Sequence, residues 1–323
     1  MLIYAGIDEA GYGPLLGPLC VACSTFVMRD GDPAAADPPD LWSILRYAVC
    51  RAGGDGNGRI AVDDSKKIKG PNDGKQHPLR RLERGVLCFA HAGKCPESDQ
   101  SLLEALGIEV PQRGWYRSTT PLPVSHTIDE LKIASSRLSR HLERGGVEFG
   151  GLMCEAIDAA EFNQQFHRMK SKAAVNFGAA LRLVERVRRR YSNNHPHIVI
   201  DRQGGRTHYR EPLQIAWPEA RIAILFESEA LARYRLDFGG GETLMLTFLP
   251  EAENAHLPVA LASMTAKYVR ELMMLRLNRF FTAHLPELKP TAGYYGDGRR
   301  YIREVEQLLP RLRIDRDTFV RMC

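Results

Sequence analysis

The sequence predicts an α/β protein with a mixed central β-sheet flanked by helices, and three observations carry that expectation. Strand-length apolar runs dominate the start of the chain. Later, such runs alternate with long helix-periodic segments. Two of the runs, LIYAGID at 2–8 and HIVID at 197–201, end in an acid followed by small or polar residues. At 323 residues, with 44% hydrophobic and 26% charged side chains, the chain can bury a sizeable core in two domains or one large domain with insertions.

Taken in order, the β-prone run 2–8 is joined to PLCVACSTFVM (18–28) by a Gly/Pro-rich link, the pattern of an antiparallel hairpin with a wide turn. LWSILRYAV (41–49) is apolar at helical spacing and predicts one surface helix, whereas the polar DDSKKIKGPNDGKQHP (63–78) predicts a loop. From about 87 to 145 the pattern is mixed, and its one strong helix signal, SHTIDELKIASSRLSRHLERGG, stops at a glycine pair. Residues 71–145 are therefore expected to form an inserted subdomain within a main domain made of 1–70 and 146–270, with 271–323 a helical C-terminal region.

VEFGGLMC (147–154) predicts a strand. Residues 159–192 carry Ala174, Phe177, Leu181, Val184 and Val187 at three- and four-residue spacing, which predicts one long amphipathic helix. Its Arg186, Arg188, Arg189 and Arg190 suit a solvated helix C-terminus. After the strand 197–201 come a strand at 221–226 and a hairpin over 236–250 turned at Gly239 to Gly241. The rest is helical: a strong amphipathic pattern over 259–284 and a shorter one at REVEQLL.

Several function classes lack support. The seven cysteines (Cys20, Cys23, Cys50, Cys88, Cys95, Cys154 and Cys323) sit mostly among apolar neighbours and read as buried reduced thiols of a cytoplasmic protein. Cys20 and Cys23 form a C-x-x-C inside a strand-like run without a second ligand pair, which does not suit zinc. No signal-peptide pattern and no membrane span is evident. The glycine spacing fits neither G-x-G-x-x-G nor a P-loop. The formal charge of +5 is a mild bias toward a polyanionic partner.

The carboxylates draw attention. Asp8 and Glu9 are adjacent like charges flanked by Gly6, Gly11 and Gly13, and Asp201 ends a second strand. Parallel neighbouring strands deliver their C-terminal ends to one sheet edge, where ligands of open α/β folds lie. Convergent carboxylates without His or Cys are hard oxygen ligands suited to Mg²⁺ or Mn²⁺. The glycines would admit a bulky polyanion to backbone distance. From the residues alone, a divalent-metal phosphoryl-transfer site and a capped strand end without chemistry both stand.

GIDEAGYGPLLGP at 6–18 resembles the opening signature of the type 2 ribonucleases H, the ribonuclease HII family. DDSKKI (63–68) is similar to its Asp-Ser-Lys-Lys-Leu loop, IDAAEFN (157–163) to its Ile-Asp-x-x-x-x-Asn segment, and IVID to the strand of its third acid. ENAHLPVALASMTAKYVRE (253–271) resembles the stretch that begins at the fourth acid, and AGYYGDGRRYI (292–302) the segment near the family's end. The six matches run in order over nearly the whole chain, interrupted at about 70–145.

The resemblance implies a ribonuclease H-like fold and endonucleolytic cleavage of the RNA strand of RNA/DNA hybrids, through two Mg²⁺ or Mn²⁺ ions, to 5′-phosphate and 3′-hydroxyl ends. It implies Asp8, Glu9, Asp201 and Glu253 as catalytic and metal-binding acids, with Glu251, Glu227 and Glu229 as alternatives for the fourth. It implies substrate contacts from Gly11, Tyr12, Gly13 and Tyr294, and phosphate contacts from Ser65, Lys66 and Lys67. Two departures stand out: Glu253 where the family has Asp, and Tyr12 where it has Arg. A phenol cannot reproduce a guanidinium fork, which places cleavage at a single embedded ribonucleotide in doubt. A monomer acting on nucleic acid, away from any membrane, is expected. A non-catalytic nucleic-acid-binding protein and a structure-specific DNA nuclease of the same metal chemistry are the alternatives.

Overall fold

The computed structural model describes residues 1–32, 35, 37–70, 76–90, 95–202 and 205–322. Its strands are β1 (Leu2–Ala10), β2 (Leu19–Met28), β3 (Val49–Cys50), β4 (Ile60–Ala61), β5 (Val147–Ile157), β6 (His197–Asp201), β7 (Arg221–Glu227), β8 (Ala232–Gly239) and β9 (Glu242–Leu249). The helices are α1 (Leu41–Ile44), α2 (Ser65–Ile68), α3 (Arg80–Ala90), α4 (Asp99–Ala105), α5 (Ile128–Arg144), α6 (Ala159–Met169), α7 (Lys172–Arg190), α8 (Arg210–Ala216), α9 (Leu257–His284), α10 (Tyr295–Val305), α11 (Leu308–Arg311) and α12 (Arg316–Phe319).

Seven strands form one mixed sheet in the order β5-β2-β1-β6-β9-β8-β7, and β3 and β4 pair separately. At its centre β1, β6 and β9 run parallel. Antiparallel neighbours extend it on both sides, β2 and β5 at one end and β8 and β7 at the other. This is the expected α/β architecture with a mixed sheet.

Strand alternation splits β1 between two cores. Leu2 and Tyr4 enter a core covered by α9, α3 and α5, whereas Ile3, Ala5 and Ile7 enter a second core with residues of α7 and α8. Cys20 and Cys23 face opposite cores for the same reason, so this C-x-x-C cannot form a joint site. The six described cysteines are buried and free, and Cys323 lies outside the described residues.

α9 is the central helix of the first core, and its course is set by Gly6. A Cβ there would lie 2.2 Å from Val259 N, so only glycine lets the helix backbone cross β1 this closely. Ser24 Oγ adds a hydrogen bond of 2.7 Å to Pro258 O. The polyanion expected to exploit this glycine is replaced there by the protein's own helix. α9 also differs from the amphipathic pattern expected: every residue from Leu257 to Arg270 is buried.

Other expectations are corrected. The helix expected over 41–49 stops after one turn, because Val49 and Cys50 pair with Ile60 and Ala61, and its Leu41 and Trp42 are buried. The helix expected over 159–192 is two helices. Lys170 takes a left-handed conformation (φ 53°), and the Ser171 side chain caps α7 by accepting from Ala174 N. The loop at 63–78 contains the short helix α2, N-capped by Asp64, while residues 71–75 lie outside the described set. The C-terminal helix expected at 303–309 is replaced by α10 and α11, with Glu306 and Gln307 between them.

The segment 76–144 packs on α9 and contributes Leu82, Val86, Leu102, Trp115, Leu131 and Leu138 to the first core. The boundary expected at 270/271 falls inside α9, whose Arg270 and Leu272 are both buried. Among the described residues no helix is long and apolar enough to cross a membrane.

Candidate active site

Adjacent parallel strands bring the first two acids together. The β1–β6 register pairs Ile7 with Ile200, so the next residues along the two strands, Asp8 and Asp201, stand side by side at the sheet's C-terminal edge. Both project toward α9, as Val199 does. Glu9, one residue on, projects toward α7. Alternation is thus how two adjacent carboxylates are accommodated: they share an edge but point to opposite faces.

Glu253 arrives from a single 3₁₀ turn, Ala252–Asn254, that leads into α9. The turn is fastened to the third acid, since Ala252 N donates to Asp201 Oδ1 at 2.9 Å. Of the competing positions, Glu227 is bound by the Tyr234 hydroxyl and Glu229 is exposed. Glu251 lies close enough to disfavour the charge on Asp201, and its own carboxylate accepts from Asn254 Nδ2 at 3.1 Å.

Burial and mutual repulsion raise the pKa of all four acids. Asp8 is pushed well above the usual carboxylate range by burial, then by Glu9 and Asp201, against hydrogen bonds from Ser263 and Glu9 N. Burial raises Glu9 to about 7, with Asp201 and Glu253 adding to the shift and Asn176 and Lys66 opposing it. Burial likewise raises Asp201 and Glu253. Lys66 is the cation felt by Glu9, Asp201 and Glu253 alike.

The donor chemistry fits a hard divalent cation, because Glu9 Oε2 and Glu253 Oε2 are buried without a hydrogen-bond partner among the described residues. As the side chains stand, no group of three or more His, Cys, Asp or Glu among the described residues is arranged to hold an ion. Closing on one would require the carboxylates to turn toward it.

The remaining expected residues divide. Ser65 is buried and its hydroxyl accepts from Ser263 Oγ at 3.1 Å, so it braces α9 beneath Asp8. Lys67 donates to Asn254 Oδ1 at 2.8 Å and pairs with Asp63 at 3.5 Å. Gly11 has φ 87°, and a Cβ there would meet the Arg270 side chain at 2.6 Å. Gly13 faces open space. Partial burial, and then the Glu9 carboxylate, raise the pKa of the Tyr12 phenol. Tyr294 is half exposed, its ring centroid 5.6 Å from the Arg270 guanidinium carbon and 6.0 Å from Lys267 Nζ.

Two further residues adjoin the acids. Ser263 lies within the family-like stretch 253–271, whereas Asn176 carries no signal in the sequence, because it sits inside a helical apolar pattern where a polar residue reads as one face among many. Only the packing of α9 and α7 against β1 brings them to Asp8 and Glu9.

No family model matches the chain, and no curated protein matches it by sequence. Solved structures are similar in outline. One is a chain of the PCNA:RNase HII complex from Archaeoglobus fulgidus (TM-score 0.41, 15% identity, 99% of this chain and 94% of that one). A second is Bst-RNase HIII in complex with Mn²⁺ (0.44, 18%, 99% and 66%), of whose length this chain spans about two thirds. A third is ribonuclease H2 from Pyrococcus horikoshii OT3 (0.38, 13%, 98% and 92%). The likeness is loose, and the functional reading rests on the residues of the site.

Proposed function

We propose that this chain is a metal-dependent ribonuclease H, a divergent relative of the type 2 enzymes that cleaves the RNA strand of RNA/DNA hybrids to 5′-phosphate and 3′-hydroxyl ends. The observation that carries this reading is the meeting of Asp8 and Asp201 at the ends of adjacent parallel strands, with Glu9 and Glu253 beside them. Sheet edges of this kind are where ligands of α/β folds bind.

Asp8, Glu9, Asp201 and Glu253 would hold two Mg²⁺ or Mn²⁺ ions. When bound, such ions supply an activated water and stabilise the charge on the leaving oxygen. The protein's residues do the rest. Burial of the four acids excludes competing water and keeps the donors close. Lys66 sets a positive charge beside them that suits a strand phosphate. The Gly11-Tyr12-Gly13 turn and Tyr294 offer a surface for the ribose face of the substrate. Tyr12 lacks the forked donors of arginine, so a long hybrid should be cut better than a single embedded ribonucleotide.

The test is cleavage, with Mg²⁺ or Mn²⁺, of three labelled duplexes: a long RNA/DNA hybrid, a DNA duplex holding one ribonucleotide, and all-DNA. Cutting of the hybrid but not of all-DNA supports the proposal. Cutting of all-DNA or branched DNA would replace it with a structure-specific nuclease. Two departures from the family pattern, Glu253 for Asp and Tyr12 for Arg, favour as a second reading a protein that binds hybrids without cutting them. Tight hybrid binding with no cleavage in any lane would decide for that reading.

A further inference from the structure

Asn176 lies on α7, the helix that packs on the face of β1 opposite to α9. It is wholly buried, in a stretch whose neighbours Val175, Phe177, Ala179 and Ala180 are all apolar. Among the described residues neither its Nδ2 nor its Oδ1 has a hydrogen-bond partner. Such an amide is costly to keep, because a buried donor and acceptor left unmade forfeit the hydrogen bonds they had in water. A leucine of similar size would satisfy the packing without that cost.

The neighbour that Asn176 faces is Glu9, which also holds a buried partnerless oxygen, Oε2. The amide is near enough to favour the ionised form of Glu9, yet no well-formed hydrogen bond closes between them. Three partnerless polar atoms therefore adjoin one another on the α7 side of the acidic edge. Ser263 occupies the equivalent position on the other side, near enough to favour the ionised form of Asp8, while its own hydroxyl donates to Ser65. Each of the two neighbouring carboxylates thus has one polar side chain from the helix beneath it.

We propose that Asn176 is a positioning residue for Glu9: its Nδ2–H₂ donates to the otherwise partnerless Glu9 oxygen when the carboxylate turns to a divalent cation, and its Oδ1 accepts from a water of that cation. The inference rests on the metal-dependent reading above and adds a residue to it. Outer groups that orient a ligand typically change metal affinity by about 10- to 100-fold when removed.

The experiment compares wild type, Asn176→Leu, Asn176→Ala and Asp8→Asn by Mn²⁺ binding calorimetry, by metal-free thermal unfolding and by cleavage rate against Mg²⁺ concentration. Asn176→Leu should unfold at the same or a higher temperature than wild type, yet bind Mn²⁺ at least about tenfold more weakly. Its cleavage should require correspondingly more Mg²⁺. Asn176→Ala, which leaves a small cavity, should unfold at a lower temperature but show the same loss of Mn²⁺ affinity. Either folded variant retaining wild-type Mn²⁺ affinity overturns the inference, while loss of Mn²⁺ binding in Asp8→Asn alone leaves the wider reading intact. A wild-type protein that binds no Mn²⁺ overturns both.

Discussion

Buried charge is handled in opposite ways in two regions of this molecule. Where the segment 76–144 meets α9, the buried charges of Glu83, Asp99 and Arg276 are met. Glu83 accepts from Val124 N at 2.6 Å, Ser125 N at 2.9 Å, Ser125 Oγ at 2.7 Å and Tyr268 Oη at 3.1 Å, with His126 Nδ1 at 3.0 Å. Arg276 grips Asp99 with two hydrogen bonds of 2.6 and 2.7 Å and also donates to Tyr116 O at 2.8 Å. At the acidic edge, in contrast, four carboxylates crowd together and two of their buried oxygens have no partner among the described residues. The first arrangement locks one layer to another. The second is relieved by protonation of the acids or, on the proposed reading, by a bound cation.

The largest contrast lies between activity and stability. Asp8→Asn should reduce hybrid cleavage to background while circular dichroism and hybrid binding stay near wild type. Arg276→Ala should do the converse. It leaves Asp99 buried and unpaired, which should lower unfolding free energy in urea by about 3–5 kcal/mol, with cleavage per folded molecule retained. Equal loss of activity in both would erase the distinction between the regions.

The two regions should also respond oppositely to pH. Glu9 rises from 4.5 to about 7 in the fold, so between those values the folded state binds more protons than the unfolded chain. Metal-free stability from this group should therefore fall as pH rises through that window. Glu9→Gln should flatten the fall. Burial alone would raise Glu83, but hydrogen bonds from His126, Ser125 and Val124 outweigh it and hold Glu83 below its ordinary value. Its contribution should be present above the ordinary carboxylate range and disappear as pH drops, and Glu83→Gln should be destabilising at pH 7 but not in acid. Urea unfolding at a series of pH values checks both slopes.

The smallest effect expected is on substrate choice. Tyr12→Arg should improve cleavage at a single embedded ribonucleotide relative to the long hybrid by about tenfold, the worth of one charge-assisted hydrogen bond. An unchanged ratio would mean that the turn does not read the ribose.

Much of this was legible in the sequence because it rests on local pattern. The acid-terminated runs at 2–8 and 197–201 read as strands, and their adjacency follows from parallel pairing. The two-residue period then explains why Asp8 and Glu9 face different helices. What stayed hidden depended on long-range packing. Asn176 reads as an interruption of an apolar helix face until α7 is laid against β1. The break at Lys170 was the more accessible miss, since Ser171 followed by a helix start is a capping signal. The glycine at position 6 was read as room for a ligand, yet it is room for α9. No pattern within GIDEAG distinguishes a glycine approached by substrate from one approached by a helix 250 residues downstream.

That crossing has a consequence for how the protein comes into being. Tyr4 Oη reaches His256 Nδ1 at 2.6 Å, and Ser24 reaches Pro258 O, so β1 and β2 are finished by a helix that lies 234 to 252 residues further along the chain. Until residue 263 has emerged, Asp8 lacks Ser263 and the acidic edge has no floor. Segments made earlier fold first where they can, but here β1 must wait for α9. A chain stalled before residue 263 therefore displays Asp8 and Glu9 without assembling the site around them.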